Sequence, residues 1–269
     1  MATCYRHPNR ETGVSCSSCG RPICPDCMTP TSVGMRCPEC SKQKTPVRTL
    51  SSVGSDPRVT VGIIIVCAVL FLASGSFGVG SAGGNRLYGD FALFGPAIEA
   101  NHEYWRLITG GFLHAGFIHI GFNMYLLWIL GQMLEPSVGS ARFALLYFTA
   151  LLWGSFGALV VTPNALTVGA SGAVFGLMGA AAVELRARGI NPFQTQIGTL
   201  ILLNLAISFA FSGISIGGHI GGLVGGALVG VVYQQADRRR SRALAYAGCV
   251  VLIVVAVVGA IIASSRSIA

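Results

Sequence analysis

The chain has 269 residues, of which 52% are hydrophobic and 10% are charged, whereas charged residues make up about 25% of an ordinary soluble domain. This composition excludes a soluble globular protein and indicates a chain embedded in a membrane. The net charge of +8 could point to nucleic acid, but the basic residues flank the apolar stretches, which indicates that they set membrane topology.

The amino-terminal segment, residues 1–40, contains four pairs of potential metal ligands, and two residues separate the members of each pair. The pairs are Cys4 with His7, Cys16 with Cys19, Cys24 with Cys27, and Cys37 with Cys40. Thiolate and imidazole donors at this spacing are typical of zinc sites, and the set suffices for two tetrahedral ions. A knot of disulfides is the alternative, which the expected cytoplasmic location of the segment disfavours because thiols stay reduced there.

This segment has too few apolar residues to bury a core, so we expect two structural Zn²⁺ ions to supply its folding energy. The pattern resembles B-box-type zinc fingers. That resemblance implies that the first and third pairs share one ion and that the second and fourth share the other. Pairing of neighbours along the chain remains the alternative. The segment lacks an aromatic platform and a dense basic stripe, so we expect a cytoplasmic protein partner and no nucleic acid.

Residues 41–58 mix Ser, Pro, Gly and basic residues without periodicity and are predicted to be a linker. Beyond them, charge-poor apolar stretches are long enough for seven membrane-spanning helices. The stretches are 59–85, 110–134, 143–183 with a break at Thr162-Pro163-Asn164, 193–236 with a break near Ser212-Gly213, and 243–265. The predicted fold is all-α: a six-span bundle over residues 59–236, a seventh span and tail over 237–269, and the small zinc module.

The basic residues predict the orientation of these spans. They cluster before the first span, after the fourth and after the sixth, and such segments are cytoplasmic by the positive-inside rule. The residues are Lys42, Lys44, Arg48 and Arg58, then Arg186 and Arg188, then Arg238, Arg239, Arg240 and Arg242. We therefore expect a multi-pass protein of the cell membrane with its amino terminus in the cytoplasm and its carboxy terminus outside.

A few polar side chains fall inside the predicted spans, where polar groups are expensive and are candidates for function. They are His114, His119 and Asn123 in the second span, Ser171 in the fourth and His219 in the sixth. These spans all run from outside to inside, so residues near their starts lie at similar depth. His119 and Asn123 also share one helix face. We therefore expect four of these groups to converge in the outer third of the membrane: His119, Asn123, Ser171 and His219.

This set of side chains suits acyl transfer. Ser171 needs a base such as neutral His219 to remove its proton, and a developing oxyanion needs fixed donors, which His119, Asn123 and the Ser171 amide could supply. Every Asp and Glu lies outside the expected site, so the sequence predicts a Ser-His dyad without a carboxylate. We expect packing to orient His219, with Phe175 as the stacking partner.

The motifs resemble those of rhomboid intramembrane serine proteases. The matching residues are Trp105-Arg106, His114 to Asn123 with its His-x3-Asn ending, Gly169-Ala170-Ser171-Gly172, and Gly218-His219-x2-Gly222-x3-Gly226. The resemblance covers residues 59–236. It implies that Ser171 is the nucleophile, that His219 is the general base, and that His119 and Asn123 help form the oxyanion hole while His114 is supportive. It also implies that residues 79–109 form a partly embedded outer loop anchored by Trp105 and Arg106.

The resemblance implies that the substrates are single-pass membrane proteins, cut near the outer face in contact with membrane lipid and without a catalytic cofactor. The alternative is a catalytically silent rhomboid-like protein that binds client transmembrane helices, and the presence of both Ser171 and His219 argues against it. A transporter or channel would require carboxylates or an arginine path inside the spans, and the sequence has neither.

Overall fold

The computed structural model describes residues 2–42, 57–75, 77, 86–211 and 213–267. The chain divides into two compact units, residues 1–53 and 54–269. Most of the predicted linker, residues 43–56, lies outside the described residues, as do Ser212 and positions 78–85 at the end of the first predicted span.

The small unit is built from short elements around a core of cysteines. Strands β1 (Ala2–Thr3) and β2 (Glu11–Thr12) pair antiparallel, as do β3 (Thr29–Thr31) and β4 (Gly34–Arg36), and helix α1 (Pro38–Lys42) follows. Among its described residues, the buried hydrophobic ones are Ile23 and six of the cysteines, and Thr12 is buried as well. A unit of this size with one buried aliphatic side chain in its core depends on something other than hydrophobic burial for stability.

The large unit is a helix bundle. Its long helices are α2 (Arg58–Ser74), α6 (Phe117–Val138), α7 (Ser140–Val161), α8 (Ser171–Ala187), α9 (Gln196–Ala210), α10 (Ile216–Arg238) and α11 (Arg242–Ser264). The described part of the chain between α2 and α6 contains the short helices α3 (Arg86–Phe91), α4 (Gly95–Asn101) and α5 (Arg106–Thr109). Among the described residues, α6, α7, α10 and α11 are long and apolar enough to cross a membrane, and α2 and α9 are shorter apolar helices.

The prediction of an all-α transmembrane bundle with a small amino-terminal module is confirmed. A helix of 15 residues or more corresponds to each predicted span, and among the described residues four of these helices are long and apolar enough to cross a membrane. Two bounds differ. Helix α2 ends at Ser74, where Gly75 adopts the left-handed conformation, although the charge-free stretch continues to Asn85. The prediction that the second span begins at Gly110 was wrong, because α6 begins at Phe117 and His114 lies in the segment before it.

Glycines let α10 pack directly against α7 and α8. A Cβ added at Gly222 would overlap the carbonyl oxygen of Gly172, and one added at Gly226 would overlap that of Gly176. On the other side, Gly221 faces the backbone of α7 at Trp153 and Gly157. Glycines spaced four residues apart, Gly222 and Gly226, therefore allow the close backbone approach of these helices.

The short helices α3 to α5 are anchored by Arg106, which is 4% exposed. Its guanidinium pairs with the Glu103 carboxylate and donates to the carbonyl oxygen of Ala92 at 2.8 Å. Half of the surface of Trp105 is exposed, and its ring N–H donates to the carbonyl oxygen of Asp90 at 3.3 Å.

Candidate active site

Ser171 is the first residue of α8, at the end of a loop fixed by backbone hydrogen bonds. Within that loop, Thr167 exchanges hydrogen bonds with Leu93 at 3.0 and 2.9 Å, and the Gly169 amide donates to the Gly110 carbonyl oxygen at 2.9 Å. Gly169 has φ +127°, a conformation that side chains rarely adopt, and a Cβ there would overlap the His119 ring. The segment between α2 and α6, which contains Leu93 and Gly110, thus sets the position from which Ser171 enters its helix.

His219 lies in the first turn of α10, where the Ser215 hydroxyl oxygen caps the helix by accepting from the Gly218 amide at 3.1 Å. The His219 Nε2 atom is 2.7 Å from the Ser171 Oγ atom. This is the hydrogen-bond distance that a nucleophile and its general base require. The contact is possible because Gly154, Gly172 and the Gly218 carbonyl group meet without intervening side chains.

Two further groups hold the His219 ring. The Phe175 ring stacks on it with centroids 4.2 Å apart and an interplanar angle of 20°, as the sequence predicted. The Ser208 Oγ atom, on α9, is 2.6 Å from His219 Nδ1. The expectation that packing orients the ring was therefore incomplete, and the sequence analysis missed Ser208. The only feature of the sequence that could have indicated Ser208 is weak: it is a polar residue four positions after another, Asn204, in an apolar span.

His119 faces the same site. Its Nδ1 atom accepts a hydrogen bond from the Ala115 amide at 3.2 Å. The proton of a neutral ring must then be on Nε2, which is the atom that faces Gly169 beside the Ser171 Oγ atom. Asn123 is buried, and its amide nitrogen donates one hydrogen bond to the His119 carbonyl oxygen at 2.9 Å, which leaves a second N–H for another acceptor.

His114 is fully buried and supports the loop before Ser171. Its Nε2 atom accepts from the Ala170 amide at 3.4 Å, and its ring lies edge-on to His119 with centroids 5.1 Å apart. The Tyr88 hydroxyl donates to the His114 carbonyl oxygen. The His219 ring contacts Ser171, Phe175 and Ser208. Among the described residues, no carboxylate is hydrogen-bonded to it.

Two four-donor clusters occupy the small unit. One consists of Cys4, His7, Cys24 and Cys27, and the other of Cys16, Cys19, Cys37 and Cys40. The donor atoms of each cluster lie within 4.8 Å of one another. The first residue pair is thus grouped with the third and the second with the fourth, which is the cross-braced pairing that the B-box resemblance implied. Four thiolate or imidazole donors at this separation could hold a tetrahedral metal ion.

Backbone amides favour the thiolate form of one cysteine in each cluster. A hydrogen bond from the Cys37 amide to the Cys16 sulfur atom, 3.3 Å long, lowers the pKa of that thiol to about 6. Burial raises the pKa of the Cys4 thiol, but amide hydrogen bonds outweigh it and bring the pKa to about 6. Since metals bind thiolates, these amides prepare both clusters for a metal ion.

Comparison with known families gives a match over the part of the chain that holds the site. A family model described as "Rhomboid domain" matches residues 101–236. This range contains Ser171, His219 and Ser208. It is shorter than the expected range 59–236, and it leaves the small unit, α2, α3, nearly all of α4, and α11 outside.

Curated relatives match the same region. The chain is 39% identical over 125 residues to rhomboid protease GluP of Bacillus subtilis, covering 45% of this chain and 24% of that protein. It is 38% identical over 121 residues to putative rhomboid protease YdcA of the same organism, covering 44% of this chain and 61% of that one. A relative in Arabidopsis thaliana, named inactive RHOMBOID-like protein 8, is 33% identical over 107 residues, covering 40% and 30%. The matches thus span less than two thirds of the length of these relatives.

Proposed function

This chain belongs to the rhomboid family, and we propose that it is an intramembrane serine endopeptidase in which Ser171 is the nucleophile and His219 is the general base. The observation that carries the proposal is the 2.7 Å separation between Ser171 Oγ and His219 Nε2 inside a bundle of apolar helices. The relatives GluP and YdcA, which are 39% and 38% identical to this chain over the matched residues, are named a rhomboid protease and a putative rhomboid protease.

In the proposed reaction, Ser171 attacks the scissile carbonyl carbon while His219 Nε2 takes the hydroxyl proton and then gives it to the leaving amine. Water from the outer face hydrolyses the acyl-enzyme. The oxyanion receives hydrogen bonds from His119 Nε2–H, from the second N–H of Asn123 and from the Ser171 amide. That amide is free for this role because the first amides of a helix have no acceptor within the helix.

The proposed substrates are single-pass membrane proteins. A helical segment buries its carbonyl groups in intrahelical hydrogen bonds, so the segment must unwind near its outer end before Ser171 can attack it. Glycine and other residues with low helix propensity would ease that unwinding. The half-buried position of Ser171 at the start of α8 is compatible with an extended backbone that enters from the outer side.

A catalytically silent protein that binds client helices is the second candidate, since one relative is named inactive. A fluorophosphonate probe separates the two functions, because it forms a covalent bond with an activated serine and does not react with a merely buried one. We expect the purified wild-type chain to react, and the Ser171→Ala and His219→Ala variants not to react.

The matched control is Ser155→Ala, which removes another buried serine hydroxyl, one that donates to the Leu107 carbonyl oxygen at 2.7 Å. This variant should react like wild type. Reaction that survives Ser171→Ala, or its absence in a folded wild-type chain, would contradict the protease assignment.

For the small unit, we propose that each cluster binds one Zn²⁺ ion in a B-box-like module and that the module, residues 1–40, recruits or is regulated by a protein partner. The ions would be structural, with Cys4, His7, Cys24 and Cys27 on one and Cys16, Cys19, Cys37 and Cys40 on the other. Residues 41–58 would be the linker to the six-span protease core at 59–236, with the seventh span and tail at 237–269.

The orientation of the multi-pass chain is also a proposal: the amino terminus in the cytoplasm and the carboxy terminus outside, with the dyad toward the outer face. The arginines at 238, 239, 240 and 242, from the end of α10 to the start of α11, support it. Single cysteines introduced there should resist an impermeant maleimide applied to intact cells. Labelling from outside would reverse the topology.

A further inference from the structure

Ser208 is the hydrogen-bond partner of His219 on the side of the ring that faces away from Ser171. Its Oγ atom is 2.6 Å from His219 Nδ1 and also 2.6 Å from the carbonyl oxygen of Asn204. Ser208 is 1% exposed and His219 is 8% exposed, so bulk water does not compete for either contact.

These two distances fix where the protons lie. Two oxygen atoms 2.6 Å apart repel each other unless a hydrogen atom lies between them, and a carbonyl oxygen carries none. The single hydroxyl hydrogen of Ser208 must therefore point at the Asn204 carbonyl oxygen. The Ser208 Oγ atom then presents only lone pairs to His219. The hydrogen atom in the short contact between Oγ and Nδ1 must therefore be bonded to Nδ1.

A neutral imidazole carries one N–H proton, so a proton on Nδ1 leaves Nε2 with a free lone pair. That lone pair lies 2.7 Å from the Ser171 hydroxyl and can accept its proton. In the opposite tautomer, Nε2–H would donate to Ser171 and could not act as a base. We infer that Ser208 is a positioning residue that holds His219 in the tautomer able to deprotonate Ser171.

This inference rests on the proposed function, in which His219 is the base. Ser208 replaces the carboxylate that orients the histidine in a Ser-His-Asp triad, and it does so without a charge in the membrane. Helix α9 supplies the residue from its last turns, because Ser208 precedes the end of the helix at Ala210. The orientation of the base therefore depends on the packing of α9 against α10.

The test combines a spectroscopic and a kinetic readout on the full chain in detergent. Imidazole ¹⁵N shifts distinguish protonated from bare ring nitrogens, and correlations to the ring carbon protons distinguish Nδ1 from Nε2. In wild type, His219 should show a protonated Nδ1 and a bare Nε2. In Ser208→Ala, both nitrogens should move to intermediate shifts, because both tautomers become populated.

The same variants are then reacted with the fluorophosphonate probe. We expect Ser208→Ala to react about tenfold more slowly, the effect of losing one buried hydrogen bond. Ser208→Thr, which keeps the hydroxyl, should restore both the Nδ1-protonated shifts and most of the rate. Ser155→Ala removes a buried hydroxyl that does not contact His219 and should change neither readout.

A proton on Nε2 of wild-type His219 would overturn the inference, as would a Ser208→Ala variant with unchanged shifts and rate. If Ser208→Ala does not fold, the wild-type shifts and the Ser208→Thr variant decide the question. A wild-type chain that fails to react with the probe but has a protonated Nδ1 would refute the protease and leave the tautomer assignment standing.

Discussion

At the residue scale, His119 differs from His219 in which ring nitrogen carries the proton. The Ala115 amide donates to His119 Nδ1, which directs the proton to Nε2, whereas Ser208 directs the proton of His219 to Nδ1. Two neutral histidines in one site are thus given opposite tautomers by their hydrogen-bond partners. One can donate to an oxyanion and the other can accept a proton.

This difference predicts the effect of removing the donor. His119→Ala should slow the reaction with a fluorophosphonate about 100-fold, because the phosphoryl oxygen of the probe loses a fixed donor. Asn123→Ala should have an effect in the same direction. The control is His102→Asn. His102 is exposed in the segment between α4 and α5, and its φ of +57° is one that asparagine tolerates. A His119→Ala variant that reacts at the wild-type rate would remove His119 from the oxyanion site.

At the scale of single elements, Glu135 near the end of α6 caps the start of α2. Its carboxylate accepts hydrogen bonds from the Val59 and Thr60 amides at 2.9 Å each, and from the hydroxyl groups of Thr60 at 2.8 Å and Ser140 at 2.7 Å. The side chain is fully buried. A negative charge at a helix amino terminus satisfies free amides and interacts favourably with the helix dipole.

Glu135→Ala should therefore lower the free energy of unfolding by roughly 3 kcal/mol, because it leaves several buried donors without an acceptor. Glu184→Ala is the matched control, since the Glu184–Arg188 pair is exposed and is worth about 0.3–0.5 kcal/mol. Thermal unfolding in detergent measures both variants. Equal effects of the two substitutions would show that the buried cap does not stabilise α2.

The contact between α8 and α10 gives a second prediction for an element. Gly222→Ala should destabilise the bundle by about 1–3 kcal/mol, because the new methyl group overlaps the Gly172 carbonyl oxygen and pushes the helices of Ser171 and His219 apart. Gly62→Ala, in α2, meets no atom within 4 Å and should be neutral or slightly stabilising. Unfolding temperature and probe reactivity should fall together in the first variant. Retention of both would argue against close packing at Gly222.

At the scale of the whole molecule, the small unit should depend on metal while the helix bundle does not. The purified chain should contain about two Zn²⁺ ions by elemental analysis, Cys16→Ser should reduce this to about one, and Cys249→Ser, outside the clusters, should leave it unchanged. Chelation should unfold residues 1–40 and leave the helical signal of the bundle. A chain without zinc, or a small unit that stays folded after chelation, would contradict the zinc module.

The sequence predicted the features that depend on local composition. Apolar runs identified the helices, because that signal lies within one segment. It missed contacts between helices that no motif marks. Ser208 reaches His219, and Glu135 reaches Thr60, only after the rotation of each helix is set by packing. His114 was placed inside a helix because an apolar run does not show where the first turn begins.

Cleavage of a single-pass membrane protein is the most direct test of the central claim. Wild type and Ser171→Ala are each co-reconstituted in liposomes with a panel of single-pass proteins, and mass spectrometry maps any new termini. The account predicts new termini in the outer part of a transmembrane segment with wild type and none with Ser171→Ala. The account would be contradicted if wild type and Ser171→Ala produced the same new termini. It would also be contradicted if a folded wild-type chain produced no new termini with any protein of the panel.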